Sequence, residues 1–371
     1  MLKVVCYQTI LWKNNRVTQP VVRKYKNYNF EPVKNARKIL WPFAVPYDGV
    51  TRLRNYLFDN SFFDSKSYDF PIIGIGNLST GGTGKSPMTE YVVSLLKDTY
   101  CTATLSRGYG RNTKGYLEVT SNLKATDTGD EPLQFARKFR DVRVAVCEDR
   151  VIGISKLRDT VPLPELIVLD DVYQHRKVKP GLLILLTALD DLFYDDFVLP
   201  AGNLRESRQG ADRADCVVVT KCPQNLSIEK QQEIQKKISK YTDATVYFAT
   251  INYGKPQSKT GVVRWDVFNK KQITVVTGIA KPKPFLKYLD KEYLSYTHLQ
   301  FADHHNFSDD ELKKLDEYPV ILTTEKDFVR LNGKLNKAAL FYIPITFNFH
   351  RNTEEFNRLI LNFAQSNSVR E

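Results

Sequence analysis

The chain has 371 residues, 42% of them hydrophobic and 26% charged, and a formal net charge of +12. These proportions are ordinary for a soluble globular protein, there are no internal repeats or low-complexity tracts, and the length is long for one core, so two α/β domains are expected. The five cysteines at 6, 101, 147, 216 and 222 form no Cys-x-x-Cys pair, which argues against a disulfide framework or zinc site and fits a reducing cytosol; no run reaches the ~18–20 apolar residues of a bilayer span, and no secretory signal is visible.

The charge is uneven. The first 60 residues hold 11 Lys/Arg against 3 Asp/Glu, a net of +8. Such a patch suits a polyanion, either nucleic acid or an acidic membrane face; a solvated basic tail is the alternative. Residues 1–32 are basic, rich in tyrosine and asparagine, and without a clear period, so they read as an extension of unknown role. Residues 33–63 interleave Ile39, Leu40, Trp41, Phe43, Val45, Val50, Leu53, Leu57, Phe58, Phe62 and Phe63 with Lys34, Arg37, Lys38, Arg52 and Arg54. Spacings of three and four place Val50, Leu53 and Leu57 on one helical face, and Pro42 and Pro46 are expected to break the segment into short pieces. This pattern fits an interfacial membrane helix and equally a helix packed on the protein's own core.

The next stretch carries the strongest signal. Phe70–Ile75 reads as a buried strand, residues 76–86 as a glycine-rich turn ending Gly84-Lys85-Ser86, and Pro87–Lys97 as a helix. A strand, such a turn and a helix together cradle a nucleotide's phosphates. Backbone amides around Gly81, Gly82, Thr83 and Gly84 face the anion, Lys85 reaches the outer phosphates, and the Ser86 hydroxyl can ligate Mg²⁺. The usual pattern has glycine five residues before Gly84, where this chain has Ser79.

Strands and helices then alternate. Strands are expected at 103–106, 142–147, 166–170, 181–187 and 216–221, with helices starting at Asp130 and Arg150. The alternation argues for a mostly parallel sheet with helices on both faces and ligands at the strands' C-terminal ends. Asp170 and Asp171 stand at one such end, where an acid holds Mg²⁺. His175 follows four residues beyond Asp171. Asp130, at a helix start, reads on its own as an N-cap. Arg107, Tyr109, Arg111, Arg150, Arg205 and Arg208 lie in turns after strands or at helix starts, where arginine can grip a phosphorylated substrate.

A second unit begins near 255, with strands at 272–278, 297–301 and 320–325. The β-rich runs 246–253 and 340–349 flank it and could pair as a two-stranded connection. Residues 350–371 are expected to form a C-terminal helix. His304 and His305 follow Asp303 after a strand; further metal ligands are not apparent, which favours a catalytic or hydrogen-bonding role. The expected division is 1–32, 33–63, a phosphate-loop domain over 64–245, a second α/β domain over 246–349, and 350–371.

With these motifs assembled, the chain resembles the tetraacyldisaccharide 4′-kinase family, the lipid A 4′-kinases of Gram-negative bacteria. The matching elements are the glycine-rich loop through Ser86-Pro87, Ser106–Arg111, Gly129–Pro132, Asp170-Asp171 with Gln174-His175-Arg176, and Leu199–Glu206. Thr277–Ala280, Phe301–His305 and Thr324–Asp327 extend the match into the second unit. Coverage runs from about 34 to near 350, and the family shares the unusual glycine register, so Ser79 belongs to the pattern. The chain departs from it at Val172-Tyr173, where the family usually has Gly-Phe, and residues 1–32 have no counterpart there.

The resemblance implies phosphoryl transfer from ATP, with Mg²⁺, to the 4′-hydroxyl of a tetraacylated disaccharide 1-phosphate, giving lipid IVA. It assigns the attacking hydroxyl's proton to Asp130, paired with His304, with Lys85 and Asp171 also at the catalytic centre. It places Arg107, Tyr109, Arg150, His175 and Arg205 near the lipid. The acceptor's acyl chains imply a peripheral enzyme at the cytoplasmic face of the inner membrane, with 33–63 as its interfacial anchor and no obligate protein partner. Two rival readings are a regulatory nucleotide switch and a basic nucleic-acid-binding protein. The first rests on Val217–Lys221, but Cys222-Pro223 stands where a guanine-reading acid is expected. The second lacks a recognised nucleic-acid motif.

Overall fold

The computed structural model describes residues 37–269, 271–292 and 294–367; the 1–32 extension lies outside them. The first long element is helix α1 (Trp41–Asp59). In chain order follow β1 (Ile72–Asn77), α2 (Lys85–Leu96), β2 (Thr102–Ser106), β3 (Leu117–Glu118), the single-turn α3 (Ala125–Thr128), α4 (Asp130–Lys138), β4 (Arg143–Val146), α5 (Arg150–Arg158), β5 (Leu166–Asp170), β6 (Leu182–Ala188), β7 (Cys216–Thr220), α6 (Ile228–Ile238) and β8 (Thr245–Tyr253). The remainder comprises β9 (Gln257–Ser258), β10 (Gly261–Val262), β11 (Ile273–Thr277), α7 (Lys283–Lys291), β12 (Tyr296–Gln300), α8 (Asp309–Leu315), β13 (Val320–Thr324), α9 (Glu325–Leu331), β14 (Ala339–Ile343), β15 (Ile345–Phe349) and α10 (Thr353–Asn367).

The larger sheet has nine strands in the order β15-β8-β7-β6-β1-β5-β2-β4-β3. Its seven inner strands are parallel, and β15 and β3 close the two edges antiparallel. The inner strands are apolar on both faces because both faces are covered. Ile73, Ile75, Val168, Ile184 and Val218 point into a core shared with Met88, Val92 and Leu96 of α2 and with Phe356 and Ile360 of α10. Ile72, Ile167, Leu185 and Val217 point the other way, onto Ile154 and Leu157 of α5 and Ile234 and Ile238 of α6. The second sheet, β10-β9-β14-β13-β11-β12, is parallel over its last four strands.

Three local expectations need correction. Segment 340–349 is not one strand: Pro344, which has no N–H to give a ladder, separates β14 in the smaller sheet from β15 in the larger one. The pairing of 246–253 with this segment is therefore made by β15 alone, from Tyr253↔Ile345 to Ala249↔Phe349, and it extends the larger sheet. Pro42 and Pro46 do not break α1, which runs unbroken for 19 residues. Pro42 sits in the first turn, where no N–H partner is needed, and Pro46 forfeits one hydrogen bond near that end. Finally, the N-cap of α4 is Gly129, with φ of 90°, and not Asp130. A side chain at 129 would lie 3.0 Å from the Tyr109 carbonyl oxygen, and Asp130 is left free to turn elsewhere.

Helix α1 is held by its polar edge. Asn55 donates to Glu206 at 2.6 Å, Arg176 pairs with Asp59 at 2.6 Å, and Tyr47 donates to the Arg205 carbonyl at 2.9 Å. Its apolar side chains are largely uncovered. Ile39 just before it, Trp41, Phe43, Val50 and Leu53 within it, and Phe62 after it all stay more than half exposed. Among the described residues no helix is long and apolar enough to cross a membrane.

Candidate active site

The phosphate loop leaves the C-terminal end of β1, a central strand, and enters α2 at Lys85. Its first half is extended: Ser79 is bridged to Leu204, Thr80 N–H donates to the Asn203 carbonyl at 2.7 Å, and Arg205 N–H donates to the Leu78 carbonyl at 2.7 Å. Residue 79 therefore needs no left-handed backbone, and serine suits it. The left-handed positions fall later, at Gly81 and at Gly84, whose φ is 93° and whose absent Cβ would meet the Phe347 ring at 2.8 Å. Around Gly81 and Gly82 there is open space, and the buried Thr83 Oγ1 has no hydrogen-bond partner. An open turn beside an orphaned hydroxyl, at the N-terminus of a 12-residue helix, fits a phosphate group.

Lys85 Nζ lies 3.2 Å from Asn77 Oδ1 and 3.6 Å from Asp171 Oδ1. Arg205 grips Asp171 through both terminal nitrogens, at 2.9 and 3.3 Å, and also bonds the Asn77 side chain. Burial opposes ionisation of Asp171, but Lys85 and Arg205 outweigh it and hold the carboxyl well below its usual range. Asp170 behaves in the opposite way. Burial, then the neighbouring Asp171 charge, push it up to about 6, and Thr89 donates to it at 3.1 Å. Ser86, Asp170 and Asp171 offer the hard oxygen donors Mg²⁺ takes, while phosphates and water supply the rest of such a shell. Among the described residues no cluster of three or more His, Cys, Asp or Glu side chains could hold a metal unaided.

Asp130, the first residue of α4, and His304, in the turn after β12, come together from distant parts of the chain. His304 Nδ1 lies 2.9 Å from Asp130 Oδ2, and Arg330 Nη2 lies 2.6 Å from the same oxygen. Burial raises the Asp130 pKa, but the two hydrogen bonds prevail and bring it down to about 2. The Asp130 hydrogen bond is the main cause of a raised His304 pKa. His304 sits in a left-handed turn with φ of 55°, and the exposed Tyr109 ring meets its imidazole edge-on at 5.8 Å. His305 turns away and bonds Glu311 at 2.9 Å. Glu131, next to Asp130, adds a smaller push in the same direction to the raised Asp170 carboxyl.

The remaining candidates divide. Arg107 is exposed, and its charge bears on both Arg150 and His175. Burial and then Arg150 lower the His175 pKa to about 4, so its imidazole is neutral at pH 7. Arg150 is buried, with its guanidinium on the carbonyls of Cys147 at 2.7 Å and Asp170 at 3.3 Å. Arg111 and Arg208 are engaged elsewhere, on Glu148 and on the Asp196 carbonyl. Val172 lies in the core without a left-handed backbone, and Tyr173 donates to the Gly210 carbonyl at 2.7 Å.

A sequence profile described as tetraacyldisaccharide-1-P 4′-kinase matches residues 36–365. The chain belongs to the tetraacyldisaccharide-1-P 4′-kinase family. It is 47% identical over 335 residues to a tetraacyldisaccharide 4′-kinase of Flavobacterium johnsoniae, covering 89% of this chain and 98% of that one. It is 40% identical to that of Bacteroides thetaiotaomicron, covering 89% and 94%. Among solved structures, it resembles LpxK from Aquifex aeolicus in complex with ATP, with a TM-score of 0.73 and 30% identity over 88% of this chain and 99% of that one.

Several residues of this family member's site escaped the sequence reading. Asn77 accepts from both Lys85 and Arg205, and Gln174 bridges the Asn77 carbonyl to Glu206. Arg330, on α9, reaches Asp130 across 200 positions of sequence. Its nearest neighbour among the family-matching residues was Asp327, three positions before it on the same helix.

Proposed function

We propose that the protein transfers the γ-phosphoryl group of ATP to the 4′-hydroxyl of a tetraacylated disaccharide 1-phosphate at the cytoplasmic face of the inner membrane. The observation that carries this reading is the pairing of a phosphate-loop cradle with a separate carboxylate–imidazole dyad. One holds a phosphoryl donor, and the other takes a proton from an acceptor. A hydrolytic switch has no use for a base aimed at a second substrate.

Lys85 and the amides of residues 81–86 would hold the β- and γ-phosphates. Ser86 and the Asp170/Asp171 pair would hold Mg²⁺, which when bound neutralises charge developing on the phosphates. Asp130 accepts the hydroxyl proton and His304 orients its carboxylate. A carboxylate held near pKa 2 is a weak base, and a weak base suffices because the loose transition state lets the proton leave late. Arg107, Tyr109, His175 and Arg205 would contact the acceptor. Arg150, committed to backbone carbonyls, contributes positive potential from below.

The exposed apolar side chains of α1, with Lys38, Arg52 and Arg54 beside them, suit the headgroup boundary of a bilayer. The acceptor can then be phosphorylated without leaving its membrane. The test is a detergent assay of label transfer from the ATP γ-position to the disaccharide lipid; no labelled lipid alongside an active control enzyme defeats the proposal.

A further inference from the structure

Helices α4 and α9 meet along a seam of charges. Asp130 pairs with Arg330 at 2.6 Å, Glu131 with Lys326 at 2.5 Å and Lys138 with Glu325 at 3.3 Å, while Arg137 donates to the Val329 carbonyl at 3.0 Å. α4 packs on the larger sheet and α9 follows a strand of the smaller one, so the seam joins the two units. Pairing buried charges returns little more than their desolvation costs. The seam therefore sets geometry more than it adds stability.

Arg330 is the seam's member at the active site. It is 3% exposed. Nη1 is fixed by Asp327 Oδ1 at 3.0 Å and the Gly278 carbonyl at 3.2 Å, and Asp327 is fixed in turn by the Gly278 N–H at 3.0 Å and the Thr324 hydroxyl at 2.7 Å. Its other terminal nitrogen, Nη2, is thus held rigidly on Asp130 Oδ2. His304 binds that same oxygen. Two donors on Oδ2 restrain the carboxylate and leave Oδ1 outside their grip. Gly278 ties the arrangement together, since its carbonyl also accepts from the His304 N–H at 3.1 Å.

We infer that Arg330 is a positioning residue for phosphoryl transfer: from the second unit it anchors Oδ2 of Asp130, leaving Oδ1 to receive the acceptor's proton only when the two units are joined. The inference rests on the proposed 4′-kinase reading with Asp130 as base. Neither Lys85 nor the phosphate loop touches Arg330, so ATP binding is outside its reach.

The test is a double-mutant cycle on the full chain, with Mg-ATP and the disaccharide lipid in detergent. Arg330→Lys keeps a charge but cannot span Asp130, Asp327 and Gly278 together. It is expected to lower kcat about 10–100-fold, as for a reacting group displaced by a fraction of an ångström, with KM for ATP within about twofold of wild type. In an Asp130→Asn background the same change is expected to cost nothing further, because the group it positions is gone. Should Arg330→Lys fail to fold, Asp327→Asn loosens the same guanidinium and is expected to give the same non-additive loss. Unchanged kcat in Arg330→Lys, or full additivity with Asp130→Asn, overturns the inference. Wild-type protein that transfers no phosphate defeats the function reading instead, which separates the two failures.

Discussion

His304 places Nδ1 2.9 Å from Oδ2 of Asp130, although the two residues stand 174 positions apart, one opening helix α4 and the other in the turn after β12. With the Gly129 carbon backbone capping α4, the Asp130 side chain is not spent on its own helix. Asp130→Asn is expected to lower kcat by about 10²–10⁴-fold, the usual share of a general base. ATP affinity, measured by calorimetry, is expected to stay near wild type. An equal loss of ATP binding would show a structural residue.

The same pair makes stability depend on pH. The folded His304 pKa is raised above its ordinary 6.5. Its contribution is therefore complete below about pH 6.5 and is lost as pH rises through the folded value. The Tm difference between wild type and His304→Gln is expected to be largest near pH 6 and to shrink toward pH 9. The depressed Asp130 acts at the other end: its contribution is present above the ordinary carboxylate pKa and fades only as pH falls toward about 2. Thermal melts across that range check both directions.

Much of this arrangement could be read from residue order. The parallel strands announced themselves as apolar runs, with Asp170 and Asp171 at the end of one and Lys85 at the close of the glycine-rich turn. What stayed hidden depends on contacts distant in sequence. Arg330 looks like a solvated helical charge until α9 packs on α4, because a pair separated by 200 residues leaves no local period. Proline also misled in both directions. In α1 it falls where the helix needs few N–H groups, whereas Pro344 cuts one β-rich run into strands of two different sheets.

The surface of α1 yields a prediction about location. Phe43 and Leu53 are 66% and 59% exposed, so replacing both by glutamate removes no core contact. The unfolding free energy is expected to move by no more than about 0.5 kcal/mol per site. Flotation with anionic vesicles is expected to drop sharply, because the change deletes apolar area and adds repulsion. Unchanged flotation would place the membrane contact elsewhere.

The C-terminal helix supports the phosphate loop from behind. Phe356 is fully buried, with its ring centroid 4.4 Å from that of Phe349 and 5.2 Å from that of Tyr247. Phe356→Ala is expected to cost about 3–5 kcal/mol of stability, read from denaturant midpoints. Because β15 also carries Phe347 against Gly84, weaker ATP binding is expected alongside that loss.

In the proposed reaction the phosphate loop after β1 and the Asp130–His304 dyad act together on a lipid hydroxyl. Fragment mass spectrometry of the lipid product, after incubating the full chain with Mg-ATP and the tetraacylated disaccharide 1-phosphate, is the decisive experiment. One new phosphate is expected on the 4′-oxygen, formed by wild type and nearly abolished in Asp130→Asn. A phosphate at another position, or ATP hydrolysis with the lipid unchanged, would contradict it.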